Sequence, residues 1–301
     1  MKKPFRRAFL EITNVCNLSC GFCATSSRPA LFPLKQRPKC GTSPVFMSVE
    51  NFAAVAAQVR PLAAVVSLHV LGEPFMHPRL PEILGVCSRL GLSVNLVTNG
   101  TLLDKFGPGI FNEPCLIQVS FSLHALAALP AAQRLEKLNR CVEFAANKPA
   151  RLIVGFRLRG NSGDTFVGKT AEHLFMAFSA DGMAGSKSRA ITLRDKVFLN
   201  LGGLFDWPGQ GKGKEKAGCL GLRHHFAVLC GGEVVPCCAD HAGALTIGNV
   251  NKNPLAEILG SPAAVRIRES IAAKTPMPAY CATCGFSAPG VLSPPGETFM
   301  L

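Results

Sequence analysis

Cys16, Cys20 and Cys23 are separated by three and then two residues in the run Cys16-Asn17-Leu18-Ser19-Cys20-Gly21-Phe22-Cys23. Three thiolates in so short a loop can hold three corners of a cubane iron–sulfur cluster. Such a cluster normally takes four protein thiolates, so a fourth iron is left open to another ligand. An open iron is a place for chemistry. A zinc site is the competing reading, but zinc wants a fourth Cys or His close by, and only the distant Cys40 offers itself.

The elements around this loop must hold it still. Short β-branched or apolar runs at 8–12, 65–70, 92–97, 116–122, 151–157 and 190–199 read as strands. Segments of helical period at 49–60, 80–90, 102–106, 131–146 and 170–179 lie between them. This alternation predicts an α/β fold with a parallel sheet covered by helices. Six such units make a partial (β/α)6 barrel rather than a full eight-unit one. The cysteine loop then sits at the C-terminal end of the first strand, where barrels of this kind place their chemistry.

The chain has 301 residues, enough for roughly two domains. Apolar residues make up 48% and charged residues 17%, which excludes global disorder. Composition shifts near Trp207, and 208–216, rich in Gly and Lys, reads as a linker. We therefore expect a core domain over 1–205 and a small α+β domain over 206–301. In the latter, 226–229 and 233–236 form a hairpin, 254–259 and 262–273 form short helices, and 287–301 is a loose tail. Glu11 interrupts the N-terminal apolar run before signal-peptide length, and the apolar region 52–71 contains Gln58, Arg60, Pro61 and His69. No signal peptide, membrane span or disulfide scaffold is expected, and thirteen cysteines then point to metal in a reducing, cytoplasmic setting.

The cysteine spacing, with Phe22 before the third Cys and Leu10-Glu11-Ile12-Thr13-Asn14 ahead of the first, resembles the radical S-adenosylmethionine (SAM) superfamily. The resemblance implies a [4Fe–4S] cluster on Cys16, Cys20 and Cys23 whose open iron chelates SAM. One electron then cleaves a carbon–sulfur bond, and the 5′-deoxyadenosyl radical abstracts hydrogen from a substrate. It further implies SAM contacts at successive strand ends: Gly72, Glu73 and Pro74 after strand two, Thr98 and Asn99 after strand three, Ser120 and Ser122 at strand four, and Arg157 at the end of strand five. Physically, a carboxylate suits an ammonium, glycine lets the backbone approach, and a guanidinium suits a carboxylate. Glu73 is expected to be solvent-accessible, so that its loss weakens SAM binding more than folding. His69 and His124 are further candidates near strand ends, and no catalytic side chain is assigned.

The later cysteines resemble the SPASM or twitch domains attached to such enzymes. Gly231 and Gly232 turn a hairpin that brings Cys237 towards Cys219, and Cys281 and Cys284 form a Cys-x-x-Cys pair. The resemblance implies one auxiliary [4Fe–4S] cluster on Cys219, Cys237, Cys281 and Cys284; a four-Cys zinc knot is the alternative, and Cys238 competes with Cys237. The remaining cysteines are expected to pack in the core. Between Arg28 and Met47 the chain departs from the pattern with a longer loop containing Cys40.

The leading expectation is an enzyme that oxidises or crosslinks a peptide or protein side chain, by analogy with the family. The few residues before the first strand leave no room for a separate peptide-recognition domain, which keeps a small-molecule substrate as the alternative. A zinc-dependent nucleic-acid-binding protein is the alternative from another class, motivated by the net charge of +13. With one Trp and one Tyr, few aromatics interleave with the basic residues. The charge equally suits an acidic flavodoxin or ferredoxin electron donor.

Overall fold

A computed structural model of the chain describes residues 3–24, 46–161, 163–180, 190–209, 219–273 and 278–287. Strands β1 (Phe5–Leu10), β2 (Ala63–Ser67), β3 (Ser93–Thr98), β4 (Leu116–Ser122), β5 (Ile153–Arg159), β6 (Ala190–Arg194), β7 (Val197–Gly202), β8 (His225–Val228), β9 (Glu233–Val235) and β10 (Gly248–Asn249) form one ten-stranded sheet. Its order is β10-β9-β8-β1-β2-β3-β4-β5-β7-β6. Pairing is parallel from β1 through β5 and on to β7, which supplies the six expected barrel strands.

Helices α1 (Val49–Val59), α2 (Leu80–Arg89), α3 (Ala131–Asn147) and α4 (Thr165–Phe178) connect these strands. Helix α1 buries Phe52, Val55, Ala56 and Val59, spaced to face the sheet, and Ser48 caps its start by accepting from the Asn51 amide at 3.1 Å. Helix α4 begins five residues before the expected position. Asp164 Oδ1 accepts from the amides of Phe166 and Val167, and this cap, rather than the apolar period, fixes the start.

Two sequence expectations need correction. The single strand over 190–199 is a hairpin: Asp195 and Lys196, the latter at φ 56°, reverse the chain, and β6 runs antiparallel to β7. The helix over 102–106 is a 3-10 turn, Leu103–Phe106, ended by Gly107 at φ 69°. The linker at 208–216 lies outside the described residues apart from Pro208 and Gly209, as do Cys40 and, apart from Ser287, the tail.

The β8–β9 hairpin appears as read, turned at Gly232 with φ 89°. It does not stand apart: β8 pairs in parallel with β1, Arg7 opposite His225, so it extends the barrel sheet. Helices α5 (Leu255–Gly260) and α6 (Pro262–Ala273) follow, then the short α7 (Ala279–Ala282). Phe226, Val234 and Leu255 share one hydrophobic core with Leu10, Phe52 and Phe121. Among the described residues no helix is long and apolar enough to cross a membrane.

Candidate active site

The loop after β1 is pinned before it reaches its cysteines. Glu11 is fully buried; its Oε1 accepts from the Leu71 amide at 3.1 Å and its Oε2 from the Cys230 amide at 3.2 Å. One carboxylate thereby fixes the loops after β1, β2 and β8. The Cys23 amide donates to the Cys20 carbonyl at 3.0 Å, turning the chain so that Cys16, Cys20 and Cys23 line one cavity. The Leu18 amide donates to Cys16 Sγ at 3.5 Å, and Asn99 Nδ2 approaches the same sulfur at 4.0 Å. Burial, opposed by the Leu18 amide and reinforced by Glu73 and Cys23, pushes the Cys16 thiol up to about 11. Burial, then Cys16 and Cys23, push Cys20 up to about 12. Thiols this close resist ionising together unless a cation replaces their protons, which is the donor chemistry an iron cluster requires.

The opposite wall comes from the ends of β2, β3 and β4. Gly72 has φ 79°, and a Cβ there would lie 2.3 Å from the Thr13 carbonyl oxygen, so only glycine fits between the two loops. Glu73 is 2% exposed, which corrects the expectation of a solvent-accessible carboxylate. Its Oε1 accepts from Thr98 Oγ1 at 2.7 Å and from the Phe75 amide at 3.1 Å, and its Oε2 from the Asn99 amide at 2.7 Å. Burial raises its pKa to about 7 against those three hydrogen bonds. Glu73 therefore braces Thr98 and Asn99 as well as facing the cavity, and its removal must cost folding too. Asn99 Nδ2 in turn donates to Asn17 Oδ1 at 2.9 Å, joining this wall to the cysteine loop.

The cavity holds about 300 Å³ and gathers Phe22, Gly72, Glu73, Thr98, Asn99, Ser122 and Arg157 with the three cysteines. Two expected contacts are not on its wall. Pro74 opens the 3-10 turn Pro74–Met76, and Ser120 lies within the barrel, accepting from Gln118 Nε2 and donating to Asn95 Oδ1. His69 and His124 do line it. Burial and Arg157 press both imidazoles down to about 3, although His124 Nδ1 donates to the Arg157 carbonyl at 3.1 Å. Sequence reasoning missed Asn14, Arg159 and Asn200 on the same wall. Asn200 stands near the end of β7, hidden by the reading of 190–199 as one strand; Arg159 donates to both its oxygens.

The C-terminal cysteines also converge. Gly221 packs between two of them: a Cβ there would lie 3.5 Å from Cys219 Sγ and 3.6 Å from Cys237 Cβ. Tyr280 is raised first by burial, then by Asp240 and the thiols of Cys237, Cys281 and Cys284 around it. Cys238 instead faces the main cavity beside Ala239, where Arg157 and Arg7 act on its thiol. Cys237 thus packs beside Cys219, while Cys238 opens onto the main cavity. Cys87, Cys115, Cys141 and Cys230 are buried, as expected of packing cysteines. Trp207 Nε1 donates to the Phe22 carbonyl at 2.9 Å, and Phe205 packs tilted against Trp207 and edge-on against Phe286, so aromatic contacts tie the two cysteine groups together. Among the described residues no three His, Cys, Asp or Glu side chains converge as ligands of a single ion. A cubane, each of whose irons takes one thiolate, asks for no such convergence.

Residues 10–139 match the family model of the radical SAM superfamily, and residues 219–285 match SPASM, an iron–sulfur cluster-binding domain. The chain thus carries a radical SAM region followed by a SPASM region. PqqA peptide cyclase of Gluconobacter oxydans is 34% identical over 106 residues, 35% of this chain and 26% of that protein. A tungsten-containing aldehyde ferredoxin oxidoreductase cofactor-modifying protein of Pyrococcus furiosus is 24% identical over 151 residues, 50% of this chain and 38% of its own. The matches thus span well under half the length of these relatives.

Among solved structures, SAM-bound anSMEcpe superposes with a TM-score of 0.61 at 13% identity, over 95% of this chain and 86% of its own. SuiB of Streptococcus suis bound to SAM gives 0.60 at 14% identity, over 88% and 68%. These likenesses establish the fold. The radical SAM region implies a [4Fe–4S] cluster and SAM, and the SPASM region implies auxiliary iron–sulfur binding. The donor sets fit: one buried and two half-buried cysteines beside a polar wall at one site, and a separate group of cysteines at the other.

Proposed function

We propose that this protein is an enzyme that binds SAM at a [4Fe–4S] cluster held by Cys16, Cys20 and Cys23 and carries out a radical modification of a peptide or protein side chain. The observation that carries the reading is the single cavity lined by both the first cysteine loop and the C-terminal region, through Cys238, Ala239 and Phe286. When bound, the cluster supplies the electron that splits a carbon–sulfur bond of SAM and so provides the radical that takes hydrogen from the substrate.

The chain's own residues do the rest. Gly72 lets the backbone approach the methionyl end of SAM, while Thr98, Asn99 and Ser122 offer polar contacts along the opposite wall. Glu73 keeps Thr98 and Asn99 in place and presents the remaining capacity of its oxygens to the ammonium. Arg157 is positioned for a carboxylate. Phe22, Leu71, Val97, Phe205 and Phe286 make the cavity largely apolar, which shields a radical from water. Cys219, Cys237, Cys281 and Cys284 hold one auxiliary [4Fe–4S] cluster. The division at 205/206 separates the SAM-cleaving part from the auxiliary part, and the shared core argues that the two fold together.

The peptide preference draws on the similarity to PqqA peptide cyclases and on the fold shared with SuiB, solved with the precursor peptide SuiA at a TM-score of 0.55. A small-molecule substrate is the second reading, favoured by BtrN in complex with SAM and 2-DOIA, which matches 97% of this chain and 98% of its own at a TM-score of 0.54. The +13 charge suits an acidic flavodoxin or ferredoxin as electron donor.

Anaerobic reconstitution tests the reading. The protein should turn brown, bind about eight iron atoms per chain and, with dithionite and SAM, release 5′-deoxyadenosine. A colourless protein holding stoichiometric zinc after the same treatment contradicts it.

A further inference from the structure

The peptide unit that joins Phe22 to Cys23 is held at both ends. Its N–H, the Cys23 amide, donates to the Cys20 carbonyl at 3.0 Å, and its carbonyl, that of Phe22, accepts from Trp207 Nε1 at 2.9 Å. A peptide unit is planar, so two anchors fix its orientation and with it the direction in which Cys23 leaves the chain. The first anchor is local, whereas the second comes from 185 positions away. Trp207 stands on a strap, residues 205–209, that is clamped to the second cysteine group on both sides of the indole. On one side the Gly285 amide donates to the Asp206 carbonyl at 2.8 Å, and Phe205 packs edge-on against Phe286. The approach is close: a Cβ on Gly285 would lie 2.6 Å from the Asp206 nitrogen. On the other side the Gly209 amide donates to Thr283 Oγ1 at 2.7 Å, and that hydroxyl donates in turn to the Tyr280 carbonyl at 3.2 Å. Thr283 lies between Cys281 and Cys284, whose turn is closed by the Cys284 amide on the Cys281 carbonyl at 3.1 Å. The indole itself packs edge-on against His241, ring centres 5.2 Å apart, in the loop that follows Cys237.

Resting on the reading of the first loop as the seat of the SAM-binding cluster and of the second group as an auxiliary cluster site, we propose that Trp207 is a positioning residue. From a strap mounted on the Cys281–Cys284 turn, it fixes the Phe22–Cys23 peptide in the orientation in which the first site takes up SAM. The second cysteine group thereby sets the geometry of the first. A chain so built binds SAM tightly only once its C-terminal region is in place. Trp207 also lines the cavity, so a direct contact with SAM is the competing role, and the two differ in what they do to the protein before SAM is added.

The test uses the full chain, reconstituted anaerobically with iron and sulfide, as wild type, Trp207→Phe, Thr283→Val and the double variant. Trp207→Phe keeps a ring and removes the Nε1 donor, while Thr283→Val keeps every cysteine and removes the acceptor that clamps Gly209. Calorimetry reads SAM affinity apart from the number of loaded sites. Electron paramagnetic resonance of the dithionite-reduced, SAM-free protein reads the surroundings of the irons directly. Trp207→Phe should bind SAM about three- to tenfold more weakly, the equivalent of one neutral hydrogen bond. Its SAM-free spectrum should change in the component that responds to added SAM in wild type. Thr283→Val should lose about two- to threefold and change the same component. The double variant should match Trp207→Phe to within about 1.5-fold, because both changes act through one indole. SAM affinity in Trp207→Phe within about 1.5-fold of wild type overturns the proposal. A weaker affinity with an unchanged SAM-free spectrum overturns it too and makes Trp207 a direct SAM contact. Losses that multiply in the double variant overturn the strap as the route. If Trp207→Phe fails to fold by circular dichroism, wild-type affinity and spectrum in Thr283→Val overturn the proposal. A wild type that takes up no iron at the first loop, or binds no SAM, is a different result, since it contradicts the underlying enzyme reading.

Discussion

Glu73 shows how far a motif can be read from residues alone. A Gly-Glu-Pro segment after a strand announces a carboxylate near the site, and the structure puts it on the cavity wall. What the segment does not announce is the three donors that converge on it, because Thr98 and Asn99 lie on the next strand end. Glu73→Ala should therefore lower stability by about 1–3 kcal/mol or more through unsatisfied donors, in addition to weakening SAM binding. Chemical denaturation of the unloaded protein measures the first and SAM titration the second; an unchanged midpoint would return Glu73 to a purely ligand-facing role. The raised pKa gives a signed test. Between the ordinary carboxylate value of 4.5 and about 7, the unfolded chain ionises this group and the folded chain does not. Stability contributed by Glu73 is thus full below 4.5 and declines as pH rises to about 7. His69 and His124, held down to about 3 from 6.5, have the opposite slope below 6.5. The difference between wild type and Glu73→Gln isolates the carboxylate: wild type should lose ground to the variant from pH 5 to 7 and run parallel to it above about 8. A flat difference across that interval contradicts the assignment.

Elements were legible where local chemistry and tertiary structure agree. Strand β4 and helix α6 have the limits that their apolar runs predict, and β1, β2, β3 and β5 shift by only a few residues. The failures came where one residue outside the pattern decides: Asp164 as a cap, Lys196 in a left-handed turn, Gly107 ending a 3-10 turn. The hairpin error hid Asn200, and ending the fifth strand at 157 rather than at Arg159 hid Arg159, because a misplaced strand end misplaces the residues that reach the cavity. Gly72 is the element-scale counterpart of Glu73. It lets the β2 loop touch the cysteine loop, so Gly72→Ala must move one loop against the other. We expect a loss of about 2 kcal/mol or more, together with poorer iron incorporation at Cys16, Cys20 and Cys23. Iron content and denaturation midpoint both matching wild type would show that the 2.3 Å approach to Thr13 relaxes without consequence.

For the whole molecule, the sequence marked two cysteine groups and a change of composition between them, but not that the second group rides on the first sheet. Parallel pairing of β8 with β1 is a contact between residues more than two hundred positions apart, which no local pattern encodes. It makes the auxiliary region a wall of the same chamber. Replacing Cys281 and Cys284 with Ala should therefore halve the iron content, permit SAM cleavage uncoupled from substrate, and stop product formation. Limited proteolysis would show whether the region after 219 stays folded, and a folded double variant with full substrate turnover would reduce the second cluster to a staple. The central claim is that Cys16, Cys20 and Cys23 hold the iron at which SAM is cleaved. The most direct measurement is 5′-deoxyadenosine formed from SAM and dithionite by reconstituted wild type and by the variant with all three replaced by Ala. We predict steady formation by the first and none by the second, which should still carry about four irons at its remaining site. Undiminished 5′-deoxyadenosine from the triple variant would contradict the account.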